Sequence, residues 1–393
     1  MPRELRPDPA VPGLVLVVTW APGGNVPPVL AAGALLAARG HPVRALASAA
    51  TRPAAERAGF EVKGYRRSPD PVTRVAFERQ AEKMMATAAG PAIAQDVCDA
   101  LAETPTDLVI VDCMLPAALA AGKATRTPTT SLVHFLYGLA RRGMLQRGGG
   151  WTTDLDSLNE TQRRLGLPPA PDGLTAWEAV ELLLVTAPRW LDVAVGASDH
   201  VIYAGPLGIR TGPPPRPAPA GTERPQVLLS FSTTVMDGQL AAMRRVCDAV
   251  ADFGGRAIVT LGPAVDAAAL RAPDAMQVAT WADHDDLLPG CSAVITHGGL
   301  GTTLRALTHG VPLLLLPLGR DQAFNAARVT SLGAGIRLGP DAGRGEVRSA
   351  LDRLLHDSRY AEAAAAVASR MAGDQPDRHA AEALEGCAEG GGR

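Results

Sequence analysis

Aromatic residues are scarce in this chain. They make up 4% of its 393 residues, so any large core must be aliphatic, built from Ala, Leu and Val. Lysine is nearly missing: Lys63, Lys83 and Lys123 are the whole set, and the remaining basic charge is Arg. Neither sign of charge dominates. The balance of 38 basic and 40 acidic residues gives a net charge of −2, which excludes a basic surface suited to nucleic acid or to an anionic membrane. Cysteine is limited to five scattered residues (Cys98, Cys113, Cys247, Cys291, Cys387). An odd count without CxxC spacing argues against a disulfide framework or a zinc site. Long apolar runs are absent: a stretch such as 311–318 is too short to cross a bilayer. The polar, Pro-rich start does not read as a signal peptide, so a cytoplasmic location is expected. The chain also lacks a Walker A loop, a G-x-S-x-G elbow and an HExxH motif. The dinucleotide fingerprint G-x-G-x-x-G fails at its third glycine in 299–304.

What is present is a composition that buries a large core, 47% hydrophobic and 20% charged. The length implies two domains. Short apolar runs at 14–19, 42–47 and 108–111 read as buried strands, and an Ala/Leu helix at 29–39 is stopped by Gly40. Strand, loop, helix, strand is the rhythm of a parallel sheet with crossover helices, an α/β fold. A Pro-dense stretch then interrupts the pattern, because Pro at that density suits neither a helix nor a central strand. The rhythm restarts with strands at 226–231, 257–261, 293–296 and 312–317 and helices at 239–252 and 301–309. Helices at 359–372 and 377–384 close the chain. The expected division is a first domain over 1–205, a linker over 206–224, a second domain over 225–372 and a tail over 373–393. Two α/β units joined by a hinge leave a cleft at the carboxyl ends of their strands, the default ligand site.

Residues 280–325 carry most of the chemistry. The strand at 293–296 runs into His297-Gly298-Gly299, and Gly301-Thr302-Thr303 opens a helix. Glycines let backbone N–H groups approach an anion, and a helix N-terminus adds unpaired donors and partial positive charge. Together they can cradle a phosphate, with His297 adding a donor or a cation. Alone, the same pattern is also an ordinary tight turn. Trp281, after a preceding apolar run, offers a face on which a nucleobase can stack; a core Trp is the plainer alternative. Asp321 and Gln322 place a carboxylate beside an amide, which suits sugar hydroxyls but equally a polar loop or a helix cap. Asp154-Leu155-Asp156 and Asp283-His284-Asp285 imitate a DxD metal motif and read as solvated charge.

In combination, Trp281, His297-Gly298-Gly299, Gly301-Thr302, Gly310-Val311-Pro312 and Asp321-Gln322 with Asn325 resemble the donor signature of family 1 (UDP-glycosyltransferase-like) enzymes. The bacterial enzymes that decorate antibiotics and other natural products are the nearest in pattern. That resemblance implies the GT-B architecture, two Rossmann-like domains facing across a cleft, with the last helix crossing back to the first domain. It implies that the Trp stacks on the base, that the His and the glycine turn hold the diphosphate, and that the Asp-Gln pair binds the sugar. Ser230-Phe231-Ser232-Thr233 is similar to the family's Ser-Phe-Gly-Ser/Thr turn, with Ser232 in place of Gly, which assigns Thr233 to donor phosphate. His284 stands where the family meets the nucleotide through backbone.

The match is incomplete at the catalytic loop. Arg39-Gly40-His41 reproduces a family helix end, and counting back by the family spacing puts Asn25 where a general-base His is expected. An amide cannot take a proton near neutral pH. Asp112, the match to the Asp that pairs with that His, is one substitute base, and His134 in the acceptor region is the other. An acceptor needing no strong base, or a catalytically silent protein, also fits. The resulting expectation is an inverting, metal-independent glycosyltransferase. It moves a sugar from a UDP- or dTDP-linked donor to a small hydrophobic acceptor, with no cofactor, as a monomer or homodimer. The alternative is a silent sugar-nucleotide-binding or auxiliary protein.

Overall fold

The computed structural model describes residues 13–146, 154–192, 199–210, 224–251 and 253–390. Most of the expected linker, 211–223, lies outside the described residues, as does 147–153 in the expected acceptor region.

Among the described residues, thirteen strands form two sheets. The first holds β1 (Val15–Thr19), β2 (Val43–Ala47), β3 (Glu61–Gly64), β4 (Leu108–Asp112), β5 (Thr129–Val133), β6 (Leu182–Val185) and β7 (Val201–Tyr203). The second holds β8 (Gln226–Ser230), β9 (Arg256–Thr260), β10 (Met276–Ala279), β11 (Ala293–Thr296), β12 (Leu313–Leu315) and β13 (Gly335–Arg337). Their orders are β3-β2-β1-β4-β5-β6-β7 and β10-β9-β8-β11-β12-β13. All pairings are parallel, as in β1 with β4 and β8 with β11. Strands buried on both faces explain the near-continuous Val, Leu and Ile runs.

Strand order reverses between β1 and β4 and again between β8 and β11. At such a switch point the connecting chains leave toward opposite faces and open a crevice at the carboxyl ends. Asn25 and Asp112 follow or end the strands of the first switch; Ser230 and His297 do so at the second. The topology therefore places both sets of candidate residues in crevices.

Close packing fixes the first of them. Helix Val26–Ala38 begins three residues before the apolar pattern suggests, because Pro27 and Pro28 occupy its first turn, where a missing N–H costs nothing. At Gly33 an added Cβ would lie 2.7 Å from a Val17 methyl and 3.0 Å from Phe60, so glycine lets this helix sit directly on β1. Strand β12 is shorter than the apolar run around it, since Pro312 and Pro317 cannot donate to a ladder. The last helix, Pro376–Gly390, packs Ala380, Ala381 and Leu384 against the first sheet's core. Glu385 of that helix accepts from Arg39 at 2.6 Å. The chain thus returns to its N-terminal half after completing the second sheet.

Candidate active site

A cavity of about 940 Å³ lies between the two sheets. Its walls hold Asn25, Asp112 and His134 from the first half, and Thr233, Trp281, His284, His297, Gly299, Gly301, Thr302, Asp321 and Gln322 from the second. Twelve of the thirteen candidates thus line one space. Gly298 lies directly beneath, in the turn after β11.

The second wall is built mainly by backbone. Gly298 has φ +89°, a left-handed conformation that glycine adopts without strain. Gly299 precedes helix Leu300–Thr308, and a Cβ there would fall 2.7 Å from His297 Nε2. The turn therefore leaves room for the imidazole beside the helix N-terminus. His297 is 6% exposed, lies parallel to Phe231 at 6.0 Å, and has Nδ1 3.3 Å from Thr296 Oγ1. Burial, and then the Arg320 guanidinium, lower its pKa to about 4. Of the two roles open in the sequence, the free protein presents His297 as a neutral ring and not as a cation. Asn325 ties the turn to the next helix, donating to Gly298 O at 2.9 Å and to Asp321 Oδ2 at 2.9 Å. Burial raises the pKa of Asp321, against the opposing pull of Asn325 and His134.

Trp281 follows β10 and is 76% exposed, so it is not a core Trp. Its face is available at the cavity. Thr233 is exposed in the turn after β8, where Ser232 Oγ accepts from Thr234 N at 3.1 Å. The hydroxyl of Ser232 caps the turn, so this residue performs a local task that glycine cannot. Gln322 is 2% exposed. Its Oε1 accepts from Leu318 N and Gly319 N at 2.8 and 3.1 Å, and it shapes its own loop. His284 sits beneath the strand ends, its Nε2 3.3 Å from Ser230 Oγ and 3.2 Å from Thr260 Oγ1.

The second DxD look-alike is not solvated charge. Asp285 is 7% exposed; it accepts from Arg305 at 2.5 Å and from the Arg210 backbone N–H at 3.1 Å, and His309 Nε2 lies 3.1 Å away. Burial opposes its charge, but His309, the Arg210 amide and Arg305 prevail and lower its pKa to about 2. A charge that deep persists only because it is paired. Asp154 is a helix cap, accepting from Ser157 N at 3.0 Å.

The first wall is built by side chains. Asp112 ends β4 and is 1% exposed. Its Oδ2 accepts from Asn25 Nδ2 at 2.5 Å, and its Oδ1 accepts from Met114 N at 3.0 Å. The other Asn25 N–H goes to Ala21 O at 3.0 Å. Both Asn25 donors are spent inward, and only its carbonyl oxygen remains to accept. His134, just after β5, places Nε2 3.3 Å from Asp112 Oδ1. Burial opposes charging this ring, but Cys113 and Asp112 outweigh it and hold its pKa well above the ordinary histidine value. One buried carboxylate thus joins Asn25 to His134 on this wall.

Sequence reasoning missed several contributors. Arg320 stands beside Asp321 with φ +54° and donates to Thr234 Oγ1 at 3.1 Å; its adjacency to the Asp-Gln pair was the available signal. Val72 and Val75 line the cavity from the loop after β3 and are 48% and 41% exposed. Gln80 Nε2 donates to both of their carbonyls at 2.9 Å. Met84, Met85, Met114 and Phe135 complete an apolar surface there.

Comparison with known proteins agrees with this geometry. Residues 244–386 match the family described as erythromycin biosynthesis protein CIII-like, C-terminal domain. The chain is 28% identical over 297 residues to the L-demethylnoviosyl transferase of Streptomyces niveus, covering 68% of this chain and 71% of that one. It is 36% identical to the elloramycin glycosyltransferase of Streptomyces olivaceus over 158 residues, 38% of each. Among solved structures, the calicheamicin glycosyltransferase aligns with TM-score 0.76 at 24% identity, over 96% of this chain and 98% of that one. The glycosyltransferase VinC, solved with dTDP, aligns with TM-score 0.69 at 20% identity, over 96% and 99%. The protein has the GT-B fold; residues in its C-terminal half match the CIII-like family, and the relatives it resembles include glycosyltransferases of antibiotic pathways. No helix among the described residues is long and apolar enough to cross a membrane.

Proposed function

We propose that this protein transfers a sugar, with inversion, from a dTDP- or UDP-linked donor to a small hydrophobic acceptor. The observation that carries the reading is the two-walled cavity. A neutral buried His and a glycine turn at a helix N-terminus face one way; a His-Asp-Asn set beside an apolar surface faces the other.

In this reading the nucleobase stacks on Trp281 and the diphosphate rests on the turn 297–302, with Thr233 alongside. Negative charge grows on the departing diphosphate as the anomeric bond breaks. The His297 N–H and the amides of helix Leu300–Thr308 stabilise it, with no metal required for that task. Asp321 and Gln322 meet the sugar, Gln322 through the loop it holds in shape.

The acceptor lies against Val72, Val75, Met84 and Phe135. Its nucleophilic hydroxyl gives its proton to His134 in the neutral-ring form, whose imidazolium Asp112 then stabilises. Because the His134 pKa is held above the ordinary value, turnover rises with pH as the neutral ring is populated. Asp112 serves as the positioning partner and not as the base, since it is 1% exposed and both its oxygens already accept. Asn25, with both N–H donors spent on Ala21 O and Asp112, holds that carboxylate in place.

The test is incubation with dTDP- and UDP-sugars and a panel of apolar acceptors, read by mass and by anomeric coupling in NMR. A glycoside of inverted configuration is expected, with turnover lowered about 10²–10⁴-fold in His134→Gln. Donor binding without turnover on any acceptor would favour the auxiliary reading.

A further inference from the structure

Asp112, Cys113 and His134 form a cluster that the proposed chemistry does not fully use. One ligand atom from each lies within 4.8 Å of the other two, and no other such group occurs among the described residues. Cys113 is fully buried and is a free thiol. His134 Nε2 is buried and makes no hydrogen bond: it approaches Asp112 Oδ1 at 3.3 Å without hydrogen-bond alignment. That nitrogen can supply a lone pair to a ligand. Carboxylate, thiolate and imidazole together are a donor set for a borderline-soft cation such as Zn²⁺.

We propose that Asp112, Cys113 and His134 form a zinc-binding site whose occupation inhibits the enzyme. A tetrahedral ion would hold its ligand atoms roughly 3.4–3.8 Å apart. The set therefore closes with a side-chain adjustment of about 1 Å, and Asp112 and His134 both border the cavity from which an ion would arrive. The backbone already fixes two ligands, because Asp112 and Cys113 are consecutive at the end of β4 and His134 follows the adjacent β5. On binding, the Cys113 thiol releases its proton to solvent and its sulfur bonds the metal; no oxidant or reductant takes part. The ion takes the imidazole lone pair and an Asp112 oxygen. The inhibitory half of the proposal rests on His134 as the base, whereas the binding half does not.

Zn²⁺ and Co²⁺ are the probes, used with the full chain. Titration of the metal-free protein with Co²⁺ is expected to produce a thiolate-to-cobalt charge-transfer band at one equivalent, bleached by Zn²⁺. Cys113→Ser should lose the band, and its rate, whatever its level without metal, should be unchanged by added Zn²⁺. His134→Asn should also lose the band, which guards against a folding defect in one variant. No band in the wild-type protein, or a band that survives Cys113→Ser, overturns the site. Zinc bound through Cys113 without slowing transfer overturns the inhibition. The base reading fails separately, if His134→Gln turns over at the wild-type rate whatever the cobalt spectrum shows.

Discussion

The two walls of the cleft are built differently. The second-sheet wall offers backbone: a glycine at φ +89°, a helix start and a neutral ring held under it. The first-sheet wall offers side chains that meet from distant positions, Asn25 and Asp112 across 87 residues and Asp112 and His134 across two strands. A wall of backbone depends on which residues are small enough, so it tolerates little change. A wall of side chains can redistribute roles, as proposed above for Asn25 and His134.

The largest expected effect tests that redistribution. Asp112→Asn should leave donor affinity unchanged and lower kcat by about 10²–10⁴-fold, measured by product formation under saturating donor. The amide would no longer stabilise a charged His134 and would present a donor to a donor on Asn25. Equal losses in donor binding and in kcat would erase the division between the walls.

The backbone wall carries a pH signature instead. Unfolded His297 takes up a proton near pH 6.5, and the folded chain only near 4. Between those values the unfolded state holds more protons. The contribution of this group is thus fully present above 6.5 and is lost as pH falls toward 4, to a total on the order of 3 kcal/mol. Denaturant titrations across that range should show the decline, and His297→Asn should flatten it. A slope unchanged by the substitution would mean that the ring is not held neutral.

Trp281→Ala is smaller and purely a matter of binding. Loss of a stacking face should cost about 1–3 kcal/mol in donor affinity, read by calorimetry with the nucleoside diphosphate, with kcat little affected. At 76% exposure the side chain supports no core, so folding should be intact. Unchanged affinity would remove the base from this part of the cavity.

The same contrast explains what was legible beforehand. The α/β alternation and the strands β1, β2, β4, β8, β9, β11 and β12 could be read because buried parallel strands are continuous apolar runs; the other strands of the two sheets were not picked out. The turn 297–302 could be read because its geometry is local, encoded by consecutive small residues. Asp285 was misread, because the groups that pair it, Arg305, His309 and the Arg210 amide, are brought to it only by folding. The apolar lining at Val72 and Val75 was missed for a related reason. Loop 66–76 has no periodicity, and what shapes it is Gln80 below and Trp20, whose Nε1 donates to Pro69 O at 2.9 Å. The cluster of Asp112, Cys113 and His134 spans two strands, so no spacing rule exposes it.

The smallest effect concerns a link between the walls. Arg79, on the helix that carries Gln80, pairs with Asp237 in the segment after β8, 2.7 Å apart. Both side chains are largely exposed, at 70% and 53%, so water and salt screen the pair. It nevertheless joins the helix that holds the loop at 72–75 to the segment that follows the turn at 230–233. Arg79→Ala should change the acceptor KM by no more than a few-fold. That change should shrink as salt is raised and vanish in the Asp237→Ala background. A large effect, or one independent of salt, would mean that the walls communicate through this contact more than their separate construction implies.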